Sequence, residues 1–221
     1  MTFSLIALDI DSKTLGVACA TGGPALGGFV PHLLPDVGAA ITQGFSTSVM
    51  AAEKGLAWLA EGKSVEAAVT ELRRQDRGEA WRQVALMNRQ GRVAGWTGEQ
   101  NVPVAGMHLE PGLIVAGNML ASDEVIPAMM AAFRHARNER GLTEALLAAL
   151  LAAQRHGGDR RGTRSAALKV RAPGDLPLDL RIDHAQDAVT ELQTLHQHIQ
   201  DDTEYQAFLA RLPTADNPHR H

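Results

Sequence analysis

Cysteine is all but missing from this chain, Cys19 being the only one in 221 residues. An intramolecular disulfide is therefore excluded, and this usage fits a reducing compartment, so the cytoplasm is the expected location. Cys19 lies in the apolar run LGVACAT and reads as a small buried strand residue, since apolar burial keeps a thiol inert. Aromatic residues are only 4% of the chain, and the formal net charge is -4. No Lys/Arg block stands out beyond the arginines near 160, so the basic stripe with interleaved aromatics of a nucleic-acid binder is missing. No apolar run approaches the roughly 20 residues of a membrane helix. The first residues also lack the basic region, apolar core and cleavage site of a signal peptide. Neither nucleic acid nor a membrane is an expected partner. The sequence contains no P-loop, no strand-linked G-x-G-x-x-G, no H-E-x-x-H and no G-x-S-x-G elbow. Its nine histidines are scattered, and His196 and His198 would point to different sides of a helix. No metal and no cofactor are expected, and His219 and His221 read as inert tail.

What is present is an ordinary globular composition, 45% hydrophobic and 21% charged, with enough length for one sizeable core. The apolar runs FSLIALDI and LGVACAT, separated by the turn-rich DSKT, predict a β-hairpin of two strands buried on both faces. GAAITQG predicts a further strand after the Pro/Gly-bearing stretch 24–37. Two helices follow. The first stops at Gly62 as a C′ glycine, and the second carries Val65, Ala68, Val69 and Leu72 on one face. RQVALMNRQGRVAGWTG predicts a second hairpin with NRQG as its loop. GLIVAGN reads as a strand leading into a helix capped by Ser122 or Asp123, and Thr143 as the cap of the Ala/Leu-rich helix after it. SAALKV and LDLRID are strands, and a terminal helix uses Val189, Leu192, His196 and Ile199. Strands thus come in hairpins and helices in pairs, which disfavours a doubly wound parallel sheet. The expected fold is α+β, a four-layer αββα sandwich of mostly antiparallel sheets, in one domain over 1–212 with an unstructured tail over 213–221.

Four stretches carry chemistry. Thr2, directly behind the initiator Met, becomes an N-terminal residue if that Met is removed. It then has a hydroxyl nucleophile and a free α-amine able to serve as its own base, with a pKa of about 7.7–8.0. Gly117–Asn118 end a strand, where the Asn amide and nearby N–H groups are suited to hold an oxyanion. Around HGGDRRGTRS, glycines shape a loop in which Asp159, Arg160 and Arg161 are suited to orient an anionic group, with Ser165 at the strand mouth. Arg82–Gln83 and Thr97–Gly98 would lie side by side at the open end of the second hairpin, where Arg82 would bind substrate or Asp159. The plain structural alternatives are a strand residue, a local Asn turn, a self-paired loop and a surface cross-strand pair.

Taken in order, TFSLIALD, LGVACA, GAAITQG, RQVALMNRQGRVAGWTG, GNML, GGDRRGTRSAAL and DLRIDHAQDAVTEL resemble the family called domain of unknown function 1028, from Thr2 to about Leu195. That family is grouped with the N-terminal-nucleophile (Ntn) hydrolases, which share an αββα sandwich. By this resemblance Thr2 stands where a catalytic threonine would, and Gly117–Asn118 near the oxyanion donors. The implied activity is an amidohydrolase or peptidase acting on a small, anionic amide or short peptide. Ntn-type folds commonly associate, which points to a homodimer. The sequence departs from the pattern in ATGGPALGG, which offers no Asp or Lys where proteasome-like enzymes place charged supports for the nucleophile. The rival expectation is a non-catalytic Ntn-fold protein that binds a small anionic metabolite or serves as an assembly subunit.

Overall fold

The computed structural model of the chain describes residues 2–159 and 161–220. Ten strands form two sheets, each wholly antiparallel. The larger contains β1 (Thr2–Leu8), β2 (Leu15–Thr21), β7 (Gly106–Glu110), β8 (Leu113–Asn118), β9 (Ser165–Arg171) and β10 (Leu178–Ile182), in the order β10-β9-β2-β1-β8-β7. The smaller contains β3 (Pro31–Leu34), β4 (Gly38–Gly44), β5 (Arg82–Asn88) and β6 (Val93–Thr97), in that order. Helices α1 (Val49–Ala60) and α2 (Val65–Gln75) cover the small sheet, and α3 (Val125–Arg140), α4 (Leu142–Arg155) and α5 (Ala188–Asp201) cover the large one. A short α6 (Thr203–Leu209) follows α5. The result is the expected αββα sandwich.

The four layers explain why β1 and β2 are apolar on both faces. Alternate residues of a strand face opposite ways, so Phe3, Leu5 and Ala7 pack against the helices while Ile6 and Leu8 meet the second sheet. Full burial of such a Leu or Ile side chain contributes about 1.5–3 kcal/mol. On α2 the four predicted residues, Val65, Ala68, Val69 and Leu72, are the buried ones. Ser48 and Ser64 accept hydrogen bonds from the backbone N–H of Ala51 and Ala67, fixing where α1 and α2 start. Gly62 closes α1 at φ 89°.

Three elements differ from the expectation. β3 lies within the stretch expected to be irregular, and β7 was not anticipated. Both are short edge strands with little full burial, so neither shows the apolar alternation that marks a strand. α6 has no buried residue and is held by the Asp202 side chain, which accepts from the N–H groups of Glu204 and Tyr205. The caps also differ. Helix α3 starts after Glu124 with no side-chain cap, and α4 starts at Leu142 rather than behind Thr143. Gly141, at φ 90°, ends α3 and opens α4 within one residue, a turn that needs no side-chain oxygen.

Candidate functional site

Strand register assembles a polar row at one end of the sandwich. Thr21 pairs with Ser165, Thr2 with Thr21, and Thr2 with Asn118. By strand alternation all four share the face that looks at the small sheet. Farther along the strands that face is apolar, with Ile6, Val17, Ile114 and Ala116 in the inter-sheet core. Three of the row's members are candidates from sequence, Thr2, Asn118 and Ser165, and they come from regions distant in the chain. Thr2 is central and buried, and its hydroxyl donates to Thr21 Oγ1 at 3.2 Å.

Beneath the row runs a buried amide chain; sequence reading brought Gln83 and Thr97 together but missed Gln43 and the chain itself. Gln83 Nε2 donates to the carbonyls of Gly106 and Gly117 at 3.0 and 2.9 Å, and to Thr97 Oγ1 at 3.0 Å. Carbonyls only accept, so this fixes the direction of the Gln83 amide. Its Oε1 therefore faces Gln43 Nε2 and Asn118 Nδ2, each at 2.9 Å. Gln43 in turn presents Oε1 to the Ser4 hydroxyl at 2.6 Å. Gln43 and Gln83 are fully buried. Two fully buried glutamines on adjacent, otherwise apolar strands were the signal available in the sequence.

This wiring changes what Asn118 offers. One N–H of its amide is given to Gln83, while Oδ1 is buried with no hydrogen-bond partner among the described residues. An orphaned buried acceptor costs about 1–3 kcal/mol, so Oδ1 is poised to receive a donor, and an oxyanion would be met by the second N–H of Nδ2.

Asp159 closes the row from the loop after α4. Its side chain is fully buried and accepts from the backbone N–H of Gly22, directly after Thr21. A β-bridge joins Asp159 to Leu120, two residues past Asn118. Asp159 is thus strapped to both strands that flank Thr2. A Cβ on Gly22 would fall 2.5 Å from Asp159 Oδ2, so that approach requires glycine. Burial pushes the Asp159 carboxyl up, but the hydrogen bonds from Arg161 and from the Gly22 N–H outweigh it and hold the carboxyl below its ordinary value.

The remaining candidates are placed as follows. Arg161 grips Asp159 with Nε at 3.1 Å and Nη2 at 2.9 Å, and its backbone N–H adds a third bond at 2.8 Å. The Asp–Arg motif is therefore self-paired, and its Arg fork is committed to Asp159. Arg160 lies outside the described residues. Ser165 donates to the Gly23 carbonyl at 2.7 Å and accepts from the Leu26 N–H at 3.2 Å, which ties down the loop after β2. Arg82 does not approach Asp159: it pairs with Asp76 at 2.5 Å and donates to Ser46 O at 2.9 Å. Of the two partners expected for Arg82, Asp159 is not met, because Arg82 and Gln83 are consecutive on β5 and only Gln83 points between the sheets. Among the described residues no three His, Cys, Asp or Glu side chains gather to hold a metal ion, and no helix is long and apolar enough to cross a membrane.

The chain resembles a crystal structure of a DUF1028-family protein from Silicibacter pomeroyi, with 33% identity, a TM-score of 0.90, and coverage of 99% of this chain and 98% of that one. The Anbu (ancestral beta-subunit) protein from Yersinia bercovieri aligns at 11% identity and a TM-score of 0.38, covering 96% of this chain and 98% of that one. No curated protein matches the chain significantly. The model of the Family of unknown function (DUF1028) matches residues 2–192, and the chain belongs to that family.

Proposed function

We propose that the chain is an Ntn-type amidohydrolase or peptidase in which Thr2, exposed by removal of Met1, is the nucleophile. The observation that carries this reading is the position of Thr2 at the centre of a buried polar row, flanked by Asn118 and by a strapped carboxylate. The freed α-amine of Thr2 takes the proton from Oγ1, which attacks the carbonyl carbon of an amide. The amine then passes that proton to the leaving nitrogen as the C–N bond breaks, and water cleaves the resulting ester. Asn118 Oδ1, lacking a partner, accepts an N–H of the α-amine and orients it. The second N–H of Asn118 Nδ2, with backbone N–H groups at the strand ends, holds the oxyanion. Asp159 fills the role of the charged support that ATGGPALGG lacks, reaching the end of β2 from a distant loop instead. The substrate is a small amide or short peptide, with Arg161 engaged by Asp159 and Arg82 by Asp76.

The test combines intact mass with turnover on a panel of short peptides and amino-acid amides. Natively expressed protein is expected to lack Met1 and to turn over one of the panel. Thr2→Ala should abolish that turnover, and Thr2→Ser should retain part of it. Met1 present in every preparation would overturn the mechanism and favour the non-catalytic binding or assembly role.

A further inference from the structure

The sandwich has a second open end, opposite Thr2, and it contains a cavity of about 350 Å³. That size lies within the roughly 300–1,000 Å³ typical of small-molecule sites. Leu8, Leu15 and Leu33 contribute its apolar lining, continuous with the inter-sheet core. Three cations border it, each from a different part of the chain: Lys13 in the β1–β2 turn, Arg89 in the β5–β6 turn and Arg171 at the end of β9. Among the described residues none of these three side chains makes a hydrogen bond or ion pair. The one acid on the lining is Asp36, so the rim carries three positive charges against one negative. In a protein whose formal charge is -4, this is a local reversal of sign.

We propose that this cavity is a binding site for a small amphipathic anion, a carboxylate with an apolar body lying on Leu8, Leu15 and Leu33 and its charge held by Lys13, Arg89 and Arg171. An apolar ligand alone would leave the cations unused, and a small inorganic anion would leave the apolar wall wet. Guanidinium groups suit the carboxylate because their N–H forks match its two oxygens. A neighbouring cleft of about 130 Å³ shares Leu33, Pro35 and Arg171 with this cavity, giving a longer ligand room along β9. The site lies at the other end of the strands from Thr2 and is independent of the chemistry proposed there.

Calorimetric titration with octanoate tests the assignment, with acetate and 1-octanol as partners lacking the body or the charge. Octanoate is expected to bind saturably, at least tenfold more tightly than either control, with affinity falling as NaCl rises. Arg89→Glu and Arg171→Glu should each weaken it at least tenfold, while Thr2→Ala leaves it unchanged. No saturable binding, equal binding of 1-octanol, or unchanged affinity in both charge-reversed variants would overturn the proposal. If a variant fails to fold, the salt dependence and the 1-octanol comparison on the native chain decide the matter.

Discussion

At the scale of residues, Asp159 shows how one buried charge is made tolerable. An uncompensated carboxylate in that position would be strongly disfavoured, and instead it is met by a guanidinium and by two backbone N–H groups. Its folded-state pKa is depressed, so its stabilisation is fully present above the unfolded carboxylate value of about 3.9 and is lost as pH falls through the folded value. Asp159→Asn keeps the shape and removes the charge. We expect it to cost roughly 1.5–3 kcal/mol at pH 7, in line with hydrogen bonds to charged groups. Melting curves of both proteins from pH 2 to 7 should converge at the acid end, and a gap that stayed constant across that range would mean that the charge is immaterial. Cys19 is the opposite case: full burial pushes its thiol up and disfavours the thiolate.

At the scale of elements, helix boundaries depend on local signals of unequal strength. Ser64 caps α2 through Ala67 N–H, and Glu66 and Arg73–Arg74 sit at the ends of the helix that favour their charges. Ser64→Ala should therefore lower stability by about 1 kcal/mol, read as a shift in the denaturant midpoint with unchanged slope. α3 has no side-chain cap to lose and depends on Val125, Met129, Phe133 and Ala136, all buried. The sequence suggested caps at Ser122, Asp123 and Thr143 because those residue types favour caps. The glycine turn between α3 and α4 prevailed because packing of the two helices sets the chain reversal at Gly141.

At the scale of the whole molecule, Gln83 is the joint between the layers. From β5 it reaches β4, β6, β7 and β8 through side-chain and carbonyl partners. Gln83→Met would fill the space but orphan the amide groups of Gln43 and Asn118. Each orphaned group costs on the order of 1–3 kcal/mol, so the loss in a urea titration should exceed that of Ser64→Ala. If the two variants lost equally little, the amide chain would not be what holds the sheets in register at this end. Under the proposed mechanism the same substitution should also lower turnover at Thr2, because Asn118 loses the bond that orients it.

Much of the architecture is legible in the chain alone. Two-sided apolar strands, the DSKT and NRQG turns and the paired amphipathic helices reflect periodicities set by local geometry, and they are enough to require sheets covered on both faces. Thr2 could be singled out by its address and Asn118 by its place after a glycine at a strand end. The edge strands β3 and β7 could not, because half-exposed strands need no apolar pattern. Nor could the roles of the polar groups. Which way the Asn118 amide faces follows from two carbonyls that face Gln83 across the inter-sheet space, and the carboxylate strapped to the strands beside Thr2 comes from Asp159, 157 residues away in the chain. Periodicity determines which face of an element is buried, because it depends on neighbours in sequence. Hydrogen-bond direction and charge pairing depend on neighbours in space, and only the packed sandwich brings those together.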